Sequence, residues 1–130
     1  MKRRLFLTIV ALAIALHAGG AAAYAQIINA QIGFPFIANG QNMPAGKYSV
    51  EVSARGPVLL TGPDMKRVIL PVITTLGRHD KDADPEFVFD KVDGKLALSE
   101  IWPPGADGFL ILATKGRHEH AVVGGSNPRK

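Results

Sequence analysis

The sequence predicts an all-β domain: a single small antiparallel sandwich or flattened barrel of seven to eight strands, preceded by a cleaved signal helix. Three observations predict it. Beyond residue 25 the chain holds all nine prolines and 12 of the 14 glycines, recurring at short intervals, a spacing that divides a chain into short strands joined by turns. Apolar and polar residues alternate from Ile28 to Phe36 and again from Lys47 to Ser53, the two-residue period of a strand with one buried face. Asp93-Gly94 separates two further such runs, and this dipeptide suits a type I′ hairpin loop, where both residues need positive φ.

The first 25 residues are an export signal by pattern. Lys2, Arg3 and Arg4 precede a largely apolar run from Leu5 to Ala18, and Ala23-Tyr24-Ala25 supplies an A-x-A cleavage site before Gln26. Fourteen helical residues rise about 21 Å, short of the roughly 30 Å hydrocarbon core, so the segment is expected to be cut rather than to anchor the chain. Arg3-Arg4-Leu5-Phe6-Leu7 is also similar to a twin-arginine signal, and either export route remains open. The full chain of 130 residues carries net charge +4 and a pI near 9.6. Removing the signal's three basic residues leaves 12 basic against 11 acidic, a net +1. The basic character that would suggest nucleic acid thus belongs to the signal, and no nucleic-acid partner is expected. With no cysteine, an exported domain must rely on its core, and neither a lipid-linked anchor nor thiol chemistry is available.

The domain is expected over residues 26–123, with a flexible tail at 124–130. Its first strand, Ile28 to Phe36, turns Ile28, Ala30, Ile32, Phe34 and Phe36 to one face, with Pro35 suggesting an edge. Asn39-Gly40 and Pro44-Ala45-Gly46 are turns. Tyr48, Val50 and Val52 form the inward face of the second strand. Val58 to Thr61 and Arg67 to Thr74 flank a turn at Gly62-Pro63-Asp64, with Pro71 marking a bulge or edge. After a polar loop from Leu76 to Pro85, Glu86–Val92 and Lys95–Trp102 form the hairpin around Asp93-Gly94. An unbroken register sets Lys91 opposite Leu96, Phe89 opposite Leu98 and Phe87 opposite Glu100, with Asp90 and Glu100 on opposite faces. Phe109 to Thr114 and His118 to Val123 complete the set.

From Ile32 to Gly105 the chain resembles a group of short, uncharacterised secreted bacterial proteins. The resemblance is carried by Phe34-Pro35-Phe36, by Met43-Pro44-Ala45-Gly46-Lys47-Tyr48-Ser49-Val50, by Phe87-Val88-Phe89-Asp90-Lys91, and by Leu98-Ser99-Glu100-Ile101-Trp102 with Pro104-Gly105. Those proteins show F-x-F, L-P-A-G-x-Y-x-V, V-F-x-K and L-S-E-I-W-x-P-G; this chain has Met43 in place of leucine, and its Arg117-His118-Glu119-His120 ending differs. The resemblance implies secretion and a β fold, and no activity.

Three features invite chemistry. Asp80, Asp82 and Asp84 alternate in a loop ahead of Glu86, a start for a calcium loop of hard oxygen ligands. The sixth and twelfth positions hold Pro85 and Lys91 where such a loop wants glycine and a bidentate glutamate, so a solvated acidic loop competes with that reading. His118 and His120 share a face if they lie on a strand, and with His79 or Glu119 could take zinc or copper; an exposed terminal strand is the plain alternative. Glu100, placed by the unbroken register among Phe87, Phe89, Leu96, Leu98 and Trp102, would sit at the rim, pair with Lys47, Arg55 or Arg67, or line a pocket with Trp102 and Phe87. No G-x-S-x-G serine and no phosphate-binding glycine loop occurs. The function expected is therefore an exported, non-enzymatic binding or envelope-interaction module, periplasmic or extracellular, meeting an envelope protein or glycan and needing no cofactor. The alternative is a small calcium- or transition-metal-binding periplasmic protein.

Overall fold

The structure, a computed structural model, describes residues 25–53, 56–78 and 80–127. The predicted signal falls outside these residues apart from Ala25, as do Arg55 and His79. No helix among the described residues is long and apolar enough to cross a membrane.

Eleven strands form: β1 (Ala25–Ile32), β2 (Phe36–Ala38), β3 (Gln41–Met43), β4 (Gly46–Ser53), β5 (Val58–Thr61), β6 (Arg67–Leu70), β7 (Thr74–Leu76), β8 (Glu86–Val92), β9 (Lys95–Trp102), β10 (Gly108–Leu110) and β11 (Glu119–Gly124). They build two sheets, one in the order β1-β4-β5-β6 and one in the order β11-β8-β9-β10-β7, with the β2–β3 hairpin attached to β9. This is the all-β sandwich that the alternating pattern predicts. All pairings are antiparallel except that of β2 with β9, made through Ile37 and Ala97.

The two inner faces supply one core. Ile28, Ile32, Tyr48, Val50, Leu60, Val68 and Leu70 come from the smaller sheet, facing Phe36, Phe87, Phe89, Leu98 and Ile101 from the larger. The Phe89 ring meets Phe34 and Phe36 edge-on at 5.0 and 5.1 Å, and Phe36 meets Tyr48 at 5.0 Å. Such edge-to-face pairs add about 0.5–1.5 kcal/mol each beyond area burial.

Three predicted strands are reshaped, two of them where the chain changes sheets. The run from Ile28 to Phe36 breaks after Ile32, and Gly33-Phe34-Pro35 carries it from the small sheet to the large one. The inward alternation survives the break, because Phe36 is buried on the opposite wall of the same core. Pro71 likewise marks a crossing, with β6 in one sheet and β7 in the other, and not a bulge; proline has no N–H to give to a ladder. The strand expected from Phe109 to Thr114 ends at Leu110, and the following segment folds back toward β9. The predicted tail is tied down as far as Ser126: Gly124 closes β11, Gly125 N–H donates to Pro85 O (2.8 Å), and Ser126 exchanges two backbone hydrogen bonds with Asn29 (2.7 and 2.8 Å).

The hairpin has the predicted bounds, and Asp93 (φ 53°) and Gly94 (φ 78°) take the left-handed conformations of its loop. Its register agrees with expectation at Lys91–Leu96 and Phe89–Leu98, then shifts: Val88 lies opposite Glu100, and Phe87 opposite Ile101. Ser99 is the extra residue of a β-bulge. Past a bulge the facing of every side chain inverts, so Ile101 takes the core position and Glu100 leaves it. The register predicted for Glu100 is corrected accordingly. So is its separation from Asp90, because Asp90, Val88 and Glu100 all belong to the outer face of the larger sheet.

Candidate metal centre

On that outer face, Asp90 is a carboxylate that does not reach water. It is 3% exposed, and burying an unpaired carboxylate costs several kcal/mol. The bulge provides part of the compensation. Ser99, 1% exposed, sets its hydroxyl 2.9 Å from Asp90 Oδ1 and 3.1 Å from Val88 O, so one proton is shared between two acceptors. Ser99 O accepts the N–H groups of Ile111 (2.6 Å) and Leu112 (3.2 Å). That anchor brings the segment after β10 across the sheet, and Thr114 on it donates its hydroxyl to Asp90 Oδ2 (2.5 Å). One extra residue in β9 therefore positions both hydroxyls that hold the carboxylate.

Two histidines close the site. Strand β11 pairs with β8 so that His120 lies directly opposite Asp90, and its Nδ1 stands 2.8 Å from Asp90 Oδ1. His118, two residues earlier, places Nε2 3.7 Å from Asp90 Oδ2; the two rings meet edge-on at 4.8 Å. The pair thus shares a face, as their spacing predicts. A turn through Gly116 (φ 82°) presents the Gly116 carbonyl to His118 Nδ1 at 3.0 Å. A carbonyl oxygen only accepts, so His118 Nδ1 donates to it, and Nε2 is the ring atom turned toward Asp90. A backbone carbonyl on the far nitrogen is the common way to orient a metal-binding imidazole.

Among the described residues, Asp90, His118 and His120 are the one group of three or more such side chains whose ligand atoms all lie within 4.8 Å of each other. A tetrahedral ion with ligands at 2.0–2.1 Å has ligand–ligand edges of about 3.4 Å. The observed 2.8 and 3.7 Å separations bracket that edge. Two imidazole nitrogens and one carboxylate oxygen would supply three ligands to a divalent ion and leave a fourth position open. His120 is half exposed, which gives the ion a route in.

The other predicted site residues are placed differently. Asp80, Asp82 and Asp84 are exposed and Glu86 begins β8; among the described residues their carboxylates are not gathered into a group of three within 4.8 Å. The physical reason is that the loop is strapped down by its backbone. Arg78 donates to Pro103 O (2.6 Å) and Asp84 O (3.0 Å) with its guanidinium 5.2 Å above the Trp102 ring, and Gly105 N–H donates to Ala83 O (3.1 Å). Asp80 Oδ1 accepts only the nearby Asp82 N–H (3.0 Å). Glu100 is half-buried and accepts the Trp102 indole N–H (3.2 Å); among the described residues it has no ion pair, so the pairing weighed with Lys47 or Arg67 does not form. Phe87 is fully buried in the core, on the opposite face of the larger sheet from Glu100. Glu119, facing Lys91 across the strands, lies on the other side of β11 from His120.

Asp90 is the candidate ligand that sequence reasoning misses. Its signal is present in Phe87-Val88-Phe89-Asp90: two inward phenylalanines force the aspartate outward. What the sequence does not display is that β11 pairs with β8, which sets His120 against it. Comparison of the chain with protein-family models, with curated proteins and with solved structures finds no match.

Proposed function

We propose that this chain is an exported β-sandwich protein that binds a divalent transition metal, zinc or copper(II), through Asp90, His118 and His120, and that it acts by binding rather than turnover. The observation that carries the reading is the convergence of a buried carboxylate and two imidazoles, whose ligand atoms all lie within 4.8 Å of one another. Two imidazoles with one carboxylate suit zinc or copper better than calcium, which prefers six to eight oxygens. Binding rather than catalysis is supported by the hydroxyls: Ser99 and Thr114 are committed to Asp90, and neither is set against an imidazole as an activated nucleophile would be. Export is the reading of the charged, apolar and A-x-A pattern of residues 1–25, and cell fractionation tests it.

Calorimetric titration of the purified protein with zinc tests the binding reading. One equivalent is expected to bind, and binding is lost in His120→Ala and unchanged in Asp82→Asn. Absence of zinc and copper binding, or equal binding by His120→Ala, overturns it.

A further inference from the structure

A second site lies on the outer face of the smaller sheet. Side chains alternate across the strands, so with Ile28, Ala30 and Val50 buried in the core, Asn29, Gln31 and Ser49 face out. The pairings align them in rows: Asn29, Ser49, Thr61 and Arg67 across β1, β4, β5 and β6, and Gln31 beside Lys47. The segment Gly124–Ser126, fixed to Asn29 by its backbone, rises along one edge and turns this face into a groove of about 610 Å³. That volume lies within the range of small-molecule sites.

The groove's chemistry is specific. Asn29, Gln31, Lys47, Ser49, Thr61 and Ser126 line it, and among the described residues none of these side chains has a hydrogen-bond or ion-pair partner within the protein. Amides and hydroxyls both donate and accept, as sugar hydroxyls do, and neighbouring strands space them about 5 Å apart on a rigid surface. No acidic side chain lines the groove; the nearest in the register, Glu51, belongs to the adjacent row with Ile27 and Leu59. Lys47 in the groove and Arg67 at the end of the polar row are both cations with no ion-pair partner among the described residues. We infer that this groove binds an acidic oligosaccharide, its hydroxyls held by the Asn29–Ser49–Thr61 row and its carboxylate by Lys47. The site is separate from Asp90 and its histidines and does not depend on a metal.

The test is an amide-resolved NMR titration of the full chain with tri-galacturonate in the presence of a chelator, with maltotriose and inorganic tripolyphosphate as comparison probes. Tri-galacturonate is expected to shift the amides of residues 29, 31, 47, 49, 61 and 126, and to bind at least tenfold more tightly than maltotriose. Lys47→Glu is expected to weaken it at least tenfold, Lys95→Glu to leave it unchanged, and His120→Ala to bind as the parent does. The inference is overturned if tri-galacturonate leaves these amides unmoved, if Lys95→Glu weakens binding as much as Lys47→Glu, or if tripolyphosphate binds the groove as tightly as the sugar.

Discussion

Replacing Asp90 by asparagine separates the metal reading from a purely structural role for the cluster. The substitution keeps the shape of the side chain and removes its charge. Without metal two effects oppose each other. Relief from holding a nearly inaccessible carboxylate stabilises the variant. Against this, the amide nitrogen cannot accept one of the two hydroxyl protons that Ser99 and Thr114 now donate. Ser99 retains Val88 O as an acceptor at 3.1 Å, so the loss is that of one hydrogen bond, about 0.5–1.5 kcal/mol. The metal-free variant is thus expected within about 1.5 kcal/mol of the parent. With zinc at a hundred times its dissociation constant the parent gains about 2.7 kcal/mol. For a domain of this size that is a rise in Tm on the order of 10–20 °C, and in Asp90→Asn it should vanish. Thermal melts of both proteins, each with chelator and with zinc, measure all four states. An equal zinc-induced rise in the two proteins would refute the assignment of Asp90 as a ligand.

Three further outcomes follow from the same geometry. Ser99→Ala keeps the backbone carbonyl that anchors Ile111 and Leu112 but frees Asp90 Oδ1, and zinc titration should show affinity lowered about 10- to 100-fold. At Gly108 an added Cβ would meet the Trp102 indole at 2.6–2.9 Å; Gly108→Ala should cost about 1–3 kcal/mol by urea unfolding and alter the emission of Trp102, the one tryptophan of the chain. Burial pushes the Tyr48 phenol above its ordinary value near 10, so the unfolded chain releases this proton first as the pH rises. Its stabilising contribution is complete below about pH 10 and declines above it. Tyr48→Phe, which also loses the hydrogen bond to Pro44 O, should be about 0.5–1.5 kcal/mol less stable than the parent at neutral pH, and the gap should narrow above pH 10 in urea midpoints.

What the sequence displays here is local, and what it conceals is long-range pairing. Asp93-Gly94 fixes a hairpin because two consecutive positive φ angles admit few residues, and β8 and β9 begin and end where the pattern says. Ile28, Ala30 and Ile32 announce their buried face by alternation alone. The bulge at Ser99 is harder to see. Leu98-Ser99-Glu100-Ile101 fits an unbroken strand in residue type, and only the competition of Glu100 and Ile101 for one core position signals the extra residue. The histidines declare a shared face, but their partner is fixed by β11 returning to β8 after two intervening strands, β9 and β10. In the acidic loop the side chains have ligand spacing, while the contacts that hold its backbone, from Arg78 and Gly105, lie outside the D-x-D-x-D pattern.

The pair of hydrogen bonds between Asn29 and Ser126 joins the beginning of the domain to its end. A chain that emerges N-terminus first can pair β4 with β5 and β5 with β6 early, since these contacts are close in sequence. It cannot make this clasp until Ser126 has emerged, well after those strands. The seal between the two sheets is thus timed by the arrival of Gly125 and Ser126, and a chain lacking that pair would leave β1 with an open edge available to a neighbouring molecule.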